Sequence, residues 1–158
     1  MQKLLRALGR ALALCTVFAA FLVASCKSFP TVKTYEGERQ PQQKVALVSP
    51  TPGWEGLAGE RQDVYFLKLD GVALTKSDID NHASLEVLPG VHRLTVAARL
   101  RVAGERVLFE DPNPITYNFE AGKHYQVYAR LSPGPTPGQA VARFWMEDDS
   151  GQVVVGTK

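Results

Sequence analysis

The stretch that decides the fold is SLEVLPGVHRLTVAARLRV, residues 84–102, in which a Pro-Gly pair separates two alternating runs. Successive side chains of a β-strand point to opposite faces, so apolar and polar residues in alternation predict a strand with one buried face. The first run places Leu85 and Val87 on one face, and the second does so with every other residue from Leu94 to Val102. The stretch therefore predicts two strands joined by a turn.

Similar short alternations, separated by Gly, Pro, Asp and Asn, continue through the chain from Val45. Reading each turn as a hairpin predicts four hairpins in which apolar residues oppose apolar residues. The predicted opposite pairs are Leu85–Leu94, Val87–His92, Leu100–Val107, Ala98–Phe109, Phe119–Tyr125, Tyr117–Val127, Ile115–Ala129, Met146–Val153 and Phe144–Val155. In the strand 63–69, Tyr65, Leu67 and Leu69 are predicted to share one face.

Helical signals after residue 25 are confined to TKSDIDNHAS, where Thr75 or Ser77 could cap a short turn. The strand spacing therefore predicts an all-β fold, an antiparallel β-sandwich of about seven to nine strands, with a partly closed barrel as the alternative. We expect one such domain over residues 45–158.

The first 25 residues have the composition of an export signal. Lys3, Arg6 and Arg10 precede an uncharged run, Ala11 to Ser25, which is shorter than the roughly 18–20 residues that span a bilayer. We interpret residues 1–25 as a signal peptide that is removed. The net charge then falls from +2 to −1, so the precursor's basic composition gives no reason to expect nucleic-acid binding.

The end of this run, Val23-Ala24-Ser25-Cys26, resembles the lipobox of bacterial lipoproteins. The resemblance implies cleavage between Ser25 and Cys26, a diacylglyceryl group on the Cys26 thiol and an acyl group on the new N-terminus. No other cofactor is expected. Cys15 lies in the removed segment, so no disulfide is expected. Lys27, where an Asp would retain such a protein at the inner membrane, implies the periplasmic face of the outer membrane, with the inner membrane or the cell surface as alternatives.

Residues 26–44 are polar and are predicted to form the lipidated N-terminus and a flexible tether. Val32 and Tyr35 are apolar, and they offer an alternative in which part of this segment packs against the domain.

Several further motifs resemble small bacterial envelope lipoproteins of unknown function: YEGERQ, VALV, LDG, LEVLPGVHRLTV and EAGKHYQVYA. The portion from LDG to LPGVHRLTV is also similar to PEGA-type β modules. This resemblance covers most of residues 35–131 and implies an exported, membrane-tethered β domain. It transfers no substrate and no catalytic residue.

Three arginines, Arg99, Arg101 and Arg106, fall on the outward face of one predicted hairpin, with Arg101 opposite Arg106. Like charges that face each other across strands are mildly destabilising, so the arrangement suggests contact with an anionic partner. Lipopolysaccharide, anionic lipid and peptidoglycan carboxylates are candidates, and a purely solubilising face is the alternative. Trp54, in a loop rich in Pro and Gly, is either an interface anchor or a cover for the end of the sandwich.

Motifs for catalysis and metal binding are missing from the sequence. His82, His92 and His124 lack the close spacing of metal ligands, and the Asp78–Asn81 cluster lacks the glycine of a calcium loop. We therefore expect no enzyme and no metal. The leading hypothesis is a lipid-anchored periplasmic, outer-membrane lipoprotein that serves as a non-catalytic binding or envelope-assembly module. The alternatives are a structural lipoprotein that binds peptidoglycan or lipopolysaccharide and, third, a small hydrolase.

Overall fold

The structure is a computed structural model that describes residues 30–51, 54–55, 61–102, 105–133 and 140–158. Most of these residues lie in strands, and the predicted all-β, sandwich-like fold is confirmed. The described residues form twelve strands, nine of which have four residues or more. The strands are β1 (Thr31–Lys33), β2 (Ala46–Pro50), β3 (Trp54–Glu55), β4 (Arg61–Leu69), β5 (Val72–Ala73), β6 (Ser84–Val87), β7 (Gly90–Val102), β8 (Glu105–Glu110), β9 (Ile115–Phe119), β10 (His124–Pro133), β11 (Ala140–Asp148) and β12 (Val153–Gly156).

Two curled sheets carry these strands. Sheet A has the order β1-β6-β2-β10-β11-β12, and sheet B has the order β3-β4-β7-β8, with β5 beside β4 and β9 beside β7. Two neighbouring pairs in sheet A, β1 with β6 and β2 with β10, are parallel, whereas the sequence predicts antiparallel pairing throughout. A parallel pair needs its chain to leave the sheet and return, and here the chain returns through sheet B.

The inner faces of the two sheets form one apolar core. Sheet A contributes Val48, Leu85 and Met146, and sheet B contributes Leu94 and Phe119, each at most 1% exposed. At one end, the rings of Tyr117, Phe119 and Tyr125 lie edge to face, 5.2–5.3 Å between centroids. Such aromatic pairs add to the energy of simple burial, so this end of the core is firmly closed.

Two of the four predicted hairpins are present. In the first, β7 pairs with β8 in the predicted register, which sets Ala98 opposite Phe109. In the second, β11 pairs with β12, but Met146 lies opposite Val155 instead of Val153. The turn sets Glu147 opposite Val153, and a register shift then leaves Val154 of β12 as an extra residue, so the two together account for the difference.

The other two predicted hairpins are wrong. β6 pairs with β2 and β1, and β9 pairs with β7, so the chain crosses between the sheets after each of them. His92 therefore lies opposite Tyr117 instead of Val87. A crossover and a hairpin both bring apolar faces together, which is why the alternation pattern does not distinguish them.

The predicted inward face of β4 is also wrong over most of its length. Val64 and Phe66 belong to the core, and Tyr65 points to the outer face of sheet B. A register shift between Phe66 and Lys68 restores Leu69 to the core side. The bulge changes which residues of the strand face the core, and an alternating sequence pattern does not reveal where such a bulge lies.

The described part of the predicted tether is attached to the domain. β1 pairs with β6, the Thr34 hydroxyl donates to the backbone carbonyl of Glu86, and Arg39 forms a 2.9 Å ion pair with the Glu86 carboxylate. Residues 31–39 are therefore held against β6. This corresponds to the alternative in which Val32 packs against the core.

The one α-helix of the described residues is α1 (Lys76–Asp80), where the sequence places a short helical turn. Thr75 caps it by accepting a hydrogen bond from the Asp78 backbone N–H. A 3-10 turn covers Gln42–Lys44. Across the described ranges, no helix is long and apolar enough to cross a membrane.

Candidate functional site

One end of the sandwich is lined with arginines, and the strand register shows where it lies. The Thr51 N–H donates to the Val127 carbonyl, and the Val64 N–H donates to the Thr51 carbonyl, so these three residues mark one level in both sheets. Beyond this level lie the second half of β10, the start of β11, the start of β4, the end of β7 and the start of β8. We call this region the arginine end. Its arginines are Arg61, Arg99, Arg101, Arg106, Arg130 and Arg143.

Two cross-strand arginine pairs occupy this end, one in each sheet. In sheet B, Arg101 lies opposite Arg106, as the sequence predicts. In sheet A, Arg130 lies opposite Arg143, and both side chains are exposed. Like charges in directly opposed positions destabilise a ladder. The same unfavourable arrangement therefore occurs twice at one end of the molecule.

Arg99 has a different environment from these two pairs. It is the cross-strand partner of Asp63, and its guanidinium lies 4.6 Å from the centroid of the Tyr65 ring. The Tyr65 ring in turn lies 4.5 Å from that of His82. A cation over an aromatic face gains electrostatic attraction. Arg99 is thus half-buried and held against the outer face of sheet B, while Arg130 and Arg143 reach solvent.

Sequence reasoning missed Arg130 and Arg143 as members of this site. The alternating pattern pairs β10 with β9, whereas the structure pairs the whole of β10 with β11. The signal was present in the alternation of VARFWMED, residues 141–148, which matches that of HYQVYARLSP, residues 124–133. Pairing those two strands would have set the two arginines opposite each other.

Next to the sheet A pair lies an aromatic stack on the outer face. Trp145 is not part of the core cluster, and its ring is stacked on Tyr128 with 5.3 Å between centroids. Arg130 lies over the Trp145 ring, and the indole N–H donates to Glu147 at 2.7 Å. Trp145 is 7% exposed, so the stack is packed as a cover and leaves the arginines as the accessible groups.

Five of the residues predicted to carry function have no described side chain, and for Arg101 and Arg106 the structure gives only their positions in β7 and β8. Trp54 pairs with Gln62 in β3 and β4, and its role as anchor or cover stays a prediction. Ser25 and Cys26, the predicted cleavage and lipid-attachment residues, lie outside the described residues, as does Cys15.

The opposite end of the sandwich, which we call the acidic end, carries a concentration of carboxylates. The group comprises Glu36, Asp70, Glu120, Asp148 and Asp149. Most of these side chains are engaged locally. Asp148 closes the turn before β12 by accepting hydrogen bonds from the Ser150 hydroxyl and from the backbone of Ser150 and Gln152. These hydrogen bonds, the hydroxyl's foremost, lower the pKa of Asp148.

Asp70 is a second example at the acidic end. Its carboxylate lies 2.6 Å from Nδ1 of His92 and accepts the Arg93 N–H at 2.8 Å. Partial burial alone would raise the pKa of Asp70, but these two hydrogen bonds and the His92 charge outweigh it and lower the pKa. His92 Nε2 lies 2.9 Å from the Leu88 carbonyl, as expected for a histidine at the rim of a sandwich.

A polar cavity of about 240 Å³ lies at the acidic end beside His124. His124 Nε2 is 2.9 Å from the Ser49 hydroxyl, and Nδ1 is 3.9 Å from an Asp149 carboxylate oxygen. A Ser-His-Asp order of this kind is the arrangement that hydrolases use. Here the Asp149 distance exceeds a hydrogen bond, Ser49 is 9% exposed, and its hydroxyl also lies 2.8 Å from the Ser84 hydroxyl. The geometry favours a structural hydrogen-bond chain.

Metal ligands are not grouped in the described part of the chain: no cluster of three or more His, Cys, Asp or Glu side chains is positioned to hold an ion. Asp78, which the sequence offers as one calcium ligand, accepts a 2.5 Å hydrogen bond from the Thr75 hydroxyl at the start of α1.

The fold and its two ends define a class: a mixed β-sandwich with an arginine-lined end and an acidic end. Comparison with protein-family models, with curated proteins and with solved structures finds no match to this chain.

Proposed function

We propose that this chain is a lipid-anchored lipoprotein of the bacterial envelope, held at the periplasmic face of the outer membrane. Its β domain serves as a non-catalytic binding or assembly module. The lipobox around Cys26 supports the anchor, and Lys27 supports the outer-membrane location. The observation that carries the binding role is the pair of opposed arginine ladders, Arg101–Arg106 and Arg130–Arg143.

Opposed like charges destabilise a sheet, and we therefore infer that these two arginine pairs have a function. A solubilising surface needs charge, but it does not need like charges in directly opposed positions of two separate sheets. An anionic partner removes the repulsion by neutralising both members of each pair. We therefore expect the arginine end to bind a negatively charged component of the envelope.

The anchor is tested by metabolic labelling with radioactive fatty acid. Cys26→Ser should abolish incorporation and leave an uncleaved precursor, because the thiol is the acceptor of the lipid. Cys15→Ser is the matched control and should label normally, since that residue lies in the segment that is removed. Normal labelling of the Cys26 variant would refute the lipid anchor.

The binding role is tested by cross-linking the lipidated protein in its own envelope and identifying what is captured. Replacing Arg99, Arg101 and Arg106 by Glu should reduce capture and abolish salt-sensitive sedimentation with the anionic component. The control replaces the exposed residues Lys44, Lys76 and Lys123 by Glu, away from the arginine end. Equal effects of the two triple variants would count against a site at the arginine end.

A small hydrolase is the second candidate, favoured by the 2.9 Å contact between Ser49 and His124. A fluorophosphonate probe separates it from the leading proposal, because the probe reacts with an activated serine. We expect no labelling that depends on Ser49. Labelling that disappears in both Ser49→Ala and His124→Gln, with the fold intact, would establish the hydrolase instead.

A further inference from the structure

The chain enters the domain beside the arginine end. β1 begins at Thr31 opposite Ser84, and the Ser84 N–H donates to the Pro30 carbonyl. The Ser84 hydroxyl lies 2.8 Å from that of Ser49, which is two residues before the Thr51 level. Since β1 runs antiparallel to β2, it leads away from the arginine end, and Pro30 lies at the end of β1 that is nearer the arginine end.

The distance from this entry to the predicted lipid is short. Residues 27–29 alone separate Cys26 from Pro30, and four successive Cα–Cα steps span at most about 14 Å. A lipid anchor at Cys26 would therefore hold the entry side of the domain within about that distance of the headgroups.

The arginine pair of sheet A, Arg130 and Arg143, lies on the same side of the domain as Pro30. Val127 lies opposite Pro50, and Arg130 is three residues further along β10, or about 10 Å. The pair formed by Arg101 and Arg106 lies beyond the Val64 level in sheet B. Both pairs are therefore placed between the body of the domain and the surface that would hold its anchor.

The charge at this end fits an anionic surface. Six arginines of the described residues lie there, against three acids, Glu55, Asp63 and Glu105. The acidic end lies on the far side of the Thr51 level and carries lysines such as Lys123 as well as its carboxylates. An anionic bilayer attracts basic side chains within about one Debye length, roughly 8 Å at physiological salt, and repels acidic ones. The excess of arginines at the arginine end therefore favours an orientation with that end toward the bilayer.

We propose that the domain docks with its arginine end on the anionic phospholipid bilayer that holds its anchor. This inference rests on the proposed lipid anchor for its geometry, but the electrostatic contact is a property of the folded domain. It can therefore be measured with the lipid removed. A bilayer is favoured over a glycan polymer because the short entry segment brings the arginines to the membrane itself.

The test uses the chain from residue 26 onward, which contains every described strand, with Cys26→Ser to prevent acylation. We expect it to co-sediment with vesicles of phosphatidylcholine mixed with phosphatidylglycerol, and not with pure phosphatidylcholine vesicles. Binding should disappear near 1 M salt, where the Debye length falls to about 3 Å. No salt-sensitive difference between the two vesicle types would overturn the proposal.

Matched variants locate the contact. Replacing Arg101, Arg106, Arg130 and Arg143 by Gln should weaken vesicle binding by about fivefold per arginine, or on the order of several hundred-fold together. Replacing Lys44, Lys68, Lys76 and Lys123 by Gln removes the same charge from exposed lysines elsewhere and should leave binding nearly unchanged. Equal losses in the two variants would refute the assignment to the arginine end. Thermal melting of both variants shows whether either has failed to fold.

Two further outcomes separate this inference from the proposed function. Binding to purified peptidoglycan without binding to anionic vesicles would overturn membrane docking and support the polymer-binding alternative. Vesicle binding by a chain whose Cys26 is never acylated in cells would uphold the basic docking surface and refute the anchor.

Discussion

The two ends of the sandwich use their charged residues in different ways. At the acidic end, Asp70 and Asp148 accept several hydrogen bonds each and hold turns in place. At the arginine end, Arg130 and Arg143 face each other, and the ion pairs of the described residues include none at Arg143. The carboxylates of Asp70 and Asp148 thus stabilise turns, whereas the opposed arginine pairs are the groups to which we assign a partner.

The largest expected effect concerns the closed core at the acidic end. Phe119→Ala removes a ring that is 1% exposed and contacts Tyr117 and Tyr125, so it should cost about 3–5 kcal/mol of unfolding free energy. Urea denaturation followed by circular dichroism measures this. Leu108→Ala, at a residue 55% exposed on β8, is the control and should change stability by about 0.5 kcal/mol or less. Similar values for the two variants would mean that the core does not close at this end.

A smaller effect is expected from Asp70→Asn. Asn tolerates the positive φ of 51° that Asp70 adopts, so the variant keeps the turn and removes the charge. The loss of charge-assisted hydrogen bonds should cost about 1 kcal/mol, a value reduced for the exposure of the carboxylate. Asp80→Asn, on the exposed face of α1, is the control and should be nearly neutral. Equal free energies of unfolding for the two variants would contradict a structural role for Asp70.

The lowered pKa of Asp70 also sets a pH dependence. Its folded pKa lies below the unfolded value of about 3.9, so its stabilising contribution is complete above that value. The contribution is lost as the pH falls further, through the folded pKa. In acid titrations of unfolding free energy, the difference between wild type and Asp70→Asn should therefore shrink below about pH 4. A difference that stays constant down to lower pH would contradict this assignment.

The smallest expected effect has the opposite sign. Arg143→Glu turns the Arg130–Arg143 pair into a pair of opposite charges and should stabilise the domain by about 0.2–1 kcal/mol. The matched change at the acidic end is Lys123→Glu. It should be neutral or destabilising, because the charge of Lys123 contributes to the lowered pKa of Asp148. Thermal melting compares them, and a destabilising Arg143→Glu would show that the pair is not strained.

Some features of the fold and of the arginine end follow directly from the sequence. Alternation identified the strands, and the short turn between β7 and β8 fixed their register, so Arg101 was correctly placed opposite Arg106. The helix cap at Thr75 is equally local, because the hydroxyl and the N–H that it receives are three residues apart. Such features need no knowledge of where the rest of the chain lies.

The missed features depend on distant partners. Arg130 and Arg143 meet because β10 pairs with β11, a choice that the alternation of β9 and β10 does not exclude. Ser49, Ser84 and His124 come from three separate parts of the chain, and no spacing rule connects them. The attachment of residues 31–39 to β6 likewise depends on Glu86, about fifty residues away in sequence.

The sequence by itself determined the strand class, the turn between β7 and β8 and the short apolar segment that precedes Cys26, because these follow from local side-chain patterns. The tertiary structure alone decided which strands share a sheet, which end gathers the arginines, and that the chain enters beside them. The physical reason is that one alternating pattern is compatible with two arrangements: apolar faces that meet between neighbouring strands of a hairpin, and apolar faces that meet between two packed sheets. Only the packing of the whole core selects one of these arrangements.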